Sequence, residues 1–128
     1  MDRRKPDEDG RLERLVRGAR HALRGVEGVA VARLDVVRLK GGSIAIDCQA
    51  DILSHLSTRF TVPLLPPEQL PDRIVGLHPS FDVAGRQWIM ASHLAGAIPA
   101  RAVEATIASL RGEEYAVQRA LDMLTGSY

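Results

Sequence analysis

Between residues 31 and 92 the apolar side chains come in short β-branched runs punctuated by glycine and proline, a texture that restricts the stretch to short strands and tight turns. Residues 31–39 and 43–48 flank Gly41-Gly42 and predict a hairpin. Residues 60–65 and 74–83 also read as extended, on either side of a loop holding Pro66, Pro67 and Pro71, none of which can donate to a strand ladder. Val83-Ala84-Gly85-Arg86 reads as a tight turn into a further strand over 87–92. The period then changes: Val103, Ile107 and Leu110, followed by Val117, Ala120, Leu121 and Leu124, recur at helical spacing on either side of Gly112. The spacing predicts a helix over 113–125, with a short helix before it. About five strands followed by one helix give a mainly β fold class with a C-terminal α-helix, a small antiparallel barrel or sheet with the helix packed across it.

Before these strands, Leu12, Leu15, Val16, Ala19, Ala22, Leu23 and Val26 form one stripe of an amphipathic helix over 10–26. Arg11, Arg14, Arg17, Arg20 and Arg24 occupy much of its remaining surface, Asp7 or Asp9 would cap its start, and Gly28 would follow its end. The expected organisation is a basic extension, residues 1–28, and one domain, residues 29–128. Residues 1–28 hold eight Lys/Arg against six Asp/Glu, and residues 29–128 hold nine against ten, so the extension is +2 and the body −1. A body this close to neutral neutralises phosphates poorly, which points to a protein partner rather than direct nucleic-acid binding. Cys48 is the only cysteine, so no intramolecular disulfide forms, which suits a reducing cytosol. Neither a signal-peptide core nor an apolar run of membrane-spanning length is present, and a cytoplasmic location without membrane contact is expected.

Few residues suggest catalysis. His21, His55, His78 and His93 form no HxxxH or HExxH pattern, and no glycine-rich phosphate loop occurs, so neither a metal nor a cofactor is expected. Cys48, inside an apolar run, reads as a small buried hydrophobe, and His93 as a structural histidine. Asp47, Gln49 and Asp51 alternate and would share one side of a strand that continued that far, two carboxylates placed for acid–base work. The stronger reading is that these short polar side chains accept backbone N–H groups at a strand end and fix the following turn. No catalytic residue is assigned, and the chain is not expected to be an enzyme.

Asp47-Cys48-Gln49-Ala50-Asp51-Ile52 also resembles the D-V-Q-S-D-I stretch of CcdB-type toxins. Thr58-Arg59-Phe60-Thr61-Val62-Pro63-Leu64 is similar to that family's T-R-x-V-V-P-L, Leu77-His78-Pro79 to its L-N-P or L-Y-P, Trp88-Ile89-Met90 to its W-x-M, and Ala97-Ile98-Pro99 to its A-x-V-P. Ala108-Ser109-Leu110 then leads into the final helix as in the family. The order and spacing hold over residues 31–128, with Asp47, Gln49, Asp51, Arg59, Pro63, Pro79, Trp88 and Pro99 as the structural motif. The resemblance implies an SH3-like barrel closed by the terminal helix, a homodimer, that traps the DNA gyrase A subunit on cleaved DNA. It further implies neutralisation by a CcdA-like antitoxin, through which alone operator DNA would be reached.

The family's gyrase-binding end is a W-G-I tripeptide after the helix. Here the corresponding residues are Thr125, Gly126, Ser127 and Tyr128, without the tryptophan, so Tyr128 would supply the ring for stacking on a target arginine. The extension is the other departure: it would bind an anionic surface, pack its stripe on the barrel, or reflect an upstream start with the true initiator at Val29 or Val31. Two further functions remain open. Ribonuclease toxins of the MazF/Kid type resemble CcdB in fold, and Arg59, Arg86 and His93 would be the residues for cleavage; a non-toxic remnant would only bind antitoxin and assist autoregulation.

Overall fold

The computed structural model describes residues 29–127; the predicted helix over 10–26 and Tyr128 lie outside them. Seven strands form one antiparallel sheet: β1 (Asp35–Leu39), β2 (Ile44–Asp47), β3 (Thr58–Leu65), β4 (Ser80–Val83), β5 (Arg86–Met90), β6 (Gly96–Pro99) and β7 (Val103–Ser109). Their order is β4-β5-β3-β2-β1-β7, with β6 also on β3, and one helix, α1 (Glu114–Thr125), follows. The curled sheet is a half-barrel closed by this helix, which is the expected fold class.

The two predicted turns are where glycine is needed. Gly41 and Gly42 take φ of +101° and +98° between β1 and β2, and Gly85 takes +82° between β4 and β5, after Ala84 at +54°. Gly85 N–H donates to Asp82 Oδ1 at 2.9 Å, completing that turn.

In β1, Val36 and Val37 point to opposite faces and both are fully buried, because each face is covered. The Val36 face packs with Ile44, Ile46, Val62, Leu64, Phe81, Val83 and Met90, and α1 lays Val117 and Ala120 onto it. Val37, Ala45 and Val103 form a smaller cluster with Val31, Leu39 and Ile98. Burial of one such aliphatic side chain contributes about 1.5–3 kcal/mol, and Val117 of α1 adds one such burial to the larger face.

β3 changes partner midway. Thr58–Thr61 pair with β6, and Leu64 and Leu65 pair with β5 along the same edge. Pro63 sits at the gap, where its carbonyl accepts Ala91 N–H at 2.9 Å and its missing N–H leaves no ladder bond unmade.

Three expectations need correction. Residues 103–109 form a strand, not the start of a helical stretch: register shifts between Val36 and Val37 and between Arg38 and Leu39 insert extra β7 residues, so the two-residue period is broken and imitates a helical one. Of residues 74–83 only Ser80–Val83 are strand, since Leu77 N–H and His78 N–H both donate to the Ile74 carbonyl and Gly76 takes φ +88° in a turn. The first strand begins at Asp35, not residue 31, because Leu34 adopts φ +73° and Asp35 N–H closes a turn onto the Ala32 carbonyl.

Candidate interaction site at the end of the helix

Asp47 ends β2 and is fully buried. Arg59 donates to it twice, Nε to Oδ2 at 2.7 Å and Nη2 to Oδ1 at 2.9 Å, and Gln49 N–H adds a third bond to Oδ1 at 3.0 Å. Gln49 in turn accepts Phe60 N–H through Oε1 at 2.9 Å and donates Nε2 to the Leu53 carbonyl at 2.8 Å. Asp51, in a 3-10 turn beyond the strand, takes Arg33 N–H at 2.8 Å. The alternating polar residues are thus consumed by backbone N–H groups and one ion pair, the structural reading rather than acid–base catalysis. A charge pair this deeply buried is held by its complete set of hydrogen bonds.

The other motif residues lie apart from this knot. Pro63 marks the partner change in β3. The Pro79 carbonyl accepts Met90 N–H at 2.9 Å, and Pro99 pairs with Thr58 at the end of β6. Trp88 stands opposite Phe81, half-buried, with the Arg86 guanidinium 4.6 Å over its ring. Arg59 is locked inside by Asp47 and Arg86 is stacked on Trp88, so two of the three residues that a ribonuclease would need are engaged in structure. Burial, with the Asp47 carboxylate adding to it, pushes the Cys48 thiol up to about 12 even against nearby Arg33, which leaves it an unreactive packing group. His78 and His93, expected as isolated residues, meet on the surface. Among the described residues no three His, Cys, Asp or Glu side chains gather as a metal site.

The residues expected to meet a target sit at the end of α1. Gly126 takes the left-handed conformation, φ +84°, and donates its N–H to the Asp122 carbonyl, as Ser127 N–H does at 2.8 Å. Thr125 turns its hydroxyl back onto the Leu121 carbonyl at 3.0 Å. The Leu121 and Asp122 carbonyls are therefore satisfied from within the helix end, while Thr125, Gly126 and Ser127 remain exposed. Along the outer face Tyr115, Gln118, Arg119 and Asp122 line an open groove of about 390 Å³, with Tyr115 80% exposed.

Sequence reading missed what anchors this helix. Arg33 donates Nη1 to Glu114 Oε2 at 2.9 Å and Nη2 to Gln118 Oε1 at 3.0 Å, and Gln118 Nε2 continues to Asp122 Oδ1 at 3.0 Å. A polar line thus runs from Asp51 through Arg33 along α1 to Asp122, whose carbonyl accepts the capping N–H groups. Glu114, Gln118 and Asp122 stand at i, i+4 and i+8, a stripe the sequence does display. Arg33 is joined to it across more than eighty residues and leaves no local signal.

Among the described residues no helix is long and apolar enough to cross a membrane. The family model for CcdB protein matches residues 35–126, well over half of the chain, ending at the glycine that caps α1. No curated protein matches the sequence significantly. The chain belongs to the CcdB family of toxins, the toxin half of toxin–antitoxin pairs.

Proposed function

We propose that this toxin binds the A subunit of DNA gyrase through Thr125, Gly126, Ser127 and Tyr128 and traps the complex with cleaved DNA. The observation that carries the reading is the end of α1: residues 125–127 are exposed, and the bonds they make are to the helix they terminate. Tyr128 supplies the aromatic ring for an arginine of the target. The toxin makes and breaks no bond itself, in keeping with the engagement of Arg59, Arg86 and Cys48 in packing and pairing.

The same reading makes residues 29–128 the toxin domain, assembled as a homodimer through one self-complementary surface. A CcdA-like antitoxin neutralises it and carries any contact with operator DNA. Incubating the purified chain with gyrase and plasmid DNA, and separately with total RNA, tests it. Accumulation of cleaved plasmid with intact RNA is the expected result. RNA cleavage without a gyrase effect would establish the ribonuclease reading, and neither activity the remnant one.

A further inference from the structure

His78 and His93 lie on two turns beside α1, and their rings meet edge to face with His78 Nε2 3.0 Å from His93 Nδ1. The proton positions follow from the neighbours. Ile74 N–H donates to His78 Nδ1 at 2.9 Å, so that nitrogen carries no proton. Neutral His78 therefore holds its proton on Nε2 and gives it to His93 Nδ1, which leaves the proton of His93 on its own Nε2. Either added proton destroys one of the two bonds: on His78 it would face the Ile74 N–H, and on His93 it would face the His78 Nε2–H. A metal-ligating histidine needs an acceptor at its second nitrogen, and His78 has a donor there, so the pair is built for proton chemistry.

The two turns have a second link that does not titrate. Ser92 Oγ donates to the Leu77 carbonyl at 2.6 Å, so the base of the 74–78 turn stays fastened whatever the rings do. Its outer part is pressed on the helix: a Cβ on Gly76 would come 2.9 Å from Met123 Cε and 3.4 Å from Arg119 Nη2. That outer part carries Ile74, 56% exposed, and Val75, 86% exposed, and the turn of His93 carries Leu94, 52% exposed.

We propose that His78 and His93 are a proton-sensitive clasp, closed only while both rings are neutral, that sets how the 74–76 segment and its apolar residues are presented beside the end of α1. The surroundings offer a second charge no compensation. From the helix Arg119 reaches the turn at Gly76, on the loop itself the charged residues are Asp72 and Arg73, and the adjoining β3 residues Pro63, Leu64 and Leu65 are uncharged. Among the described residues neither imidazole has a carboxylate partner. Desolvation first, and His93 second, hold His78 below its ordinary value of 6.5. The unfolded chain then binds more protons than the folded one, so the stability from this group is present above pH 6.5 and is lost as pH falls through the lowered value.

The clasp does not depend on which partner the helix end binds, and its test needs only the free full chain. Long-range ¹H–¹⁵N spectra of the histidine rings, followed from about pH 8 to about pH 5, report tautomer and titration together. Both His78 and His93 are expected as Nε2–H tautomers at the upper end, with the Ile74 amide shifting in step with His78 as it is protonated. In His93→Ala the midpoint of His78 should rise toward its ordinary value, and in His78→Ala the Ile74 amide should stop responding. A His78 found with its proton on Nδ1, an Ile74 amide indifferent to the titration, or a midpoint unmoved by His93→Ala would overturn the proposal.

Discussion

Asp47 is fully buried and accepts three hydrogen bonds from Arg59 and Gln49, whereas Thr125, Gly126 and Ser127 lie exposed and bond only to the helix they terminate. The knot is built from residues by which the chain resembles its family and the helix end from residues where it departs from that pattern, and the two carry opposite loads. The Asp47 knot fixes the end of β2 against the start of β3 and is unavailable to a partner. The helix end is available to a partner and contributes little to the fold. A resemblance concentrated in the knot therefore reports architecture, while the proposed contact with gyrase falls on the few residues where this chain departs from the family pattern.

The comparison breaks most directly at Arg59. Arg59→Ala leaves the Asp47 charge buried without its partner and should lower stability by about 3–5 kcal/mol in urea unfolding. The double change Asp47→Leu with Arg59→Met removes both charges and should cost less than about 2 kcal/mol. A single change as mild as the double one would show that the pair does not organise the strand ends.

Next in size is the effect at the other region. If Tyr128 stacks on an arginine of gyrase, Tyr128→Ala should forfeit roughly 1–2 kcal/mol of binding, with Tyr128→Phe keeping most of it and Tyr128→Trp strengthening it. Calorimetric titration against the gyrase A subunit measures each step, and an order other than Trp, Tyr, Phe, Ala would remove the ring from the account.

Arg33 joins the two regions, so its loss sharpens the contrast between them. The pair with Glu114 is half open to water, and Arg33→Ala should cost only about 0.2–1 kcal/mol of stability in a thermal melt. A much larger loss would mean that the line from Asp51 to Asp122 organises the helix and does not merely trim it. Smallest of all, a chain starting at Val29 should still melt cooperatively, because β1–β7 and α1 already cover both faces of the sheet. An unfolded or aggregated product would make residues 1–28 part of the domain.

What the sequence displays and what it hides follow from the range of the interactions. The turns at Gly41-Gly42 and Gly85 were legible because left-handed backbone leaves its mark in the residue type itself. The final helix was legible through Val117, Ala120 and Leu121, one face at one period. β7 was not, because its bulges scramble the alternation that identifies a strand, and β6 was not, because Gly96-Ala97-Ile98-Pro99 carries one large apolar residue and pairs only with the first half of a bent neighbour. Residues 74–77 look extended by composition, but they form a turn. At the site, the role of Asp47 and Gln49 as a strand-end knot was readable. Its partner Arg59 was recognised only as a motif residue, and the joining of Arg33 to Glu114 and of His78 to His93 depends on the fold bringing distant turns together.

The separation of fold from action is tested most directly by deleting Ser127 and Tyr128 and measuring both quantities on one preparation: the melting temperature and the accumulation of gyrase-cleaved plasmid. The account predicts a melt close to that of the parent, a loss below about 1 kcal/mol, with plasmid cleavage abolished. Cleavage that survives the deletion, or a fold that collapses with it, would contradict the claim that the end of α1 acts on the target without holding the structure together.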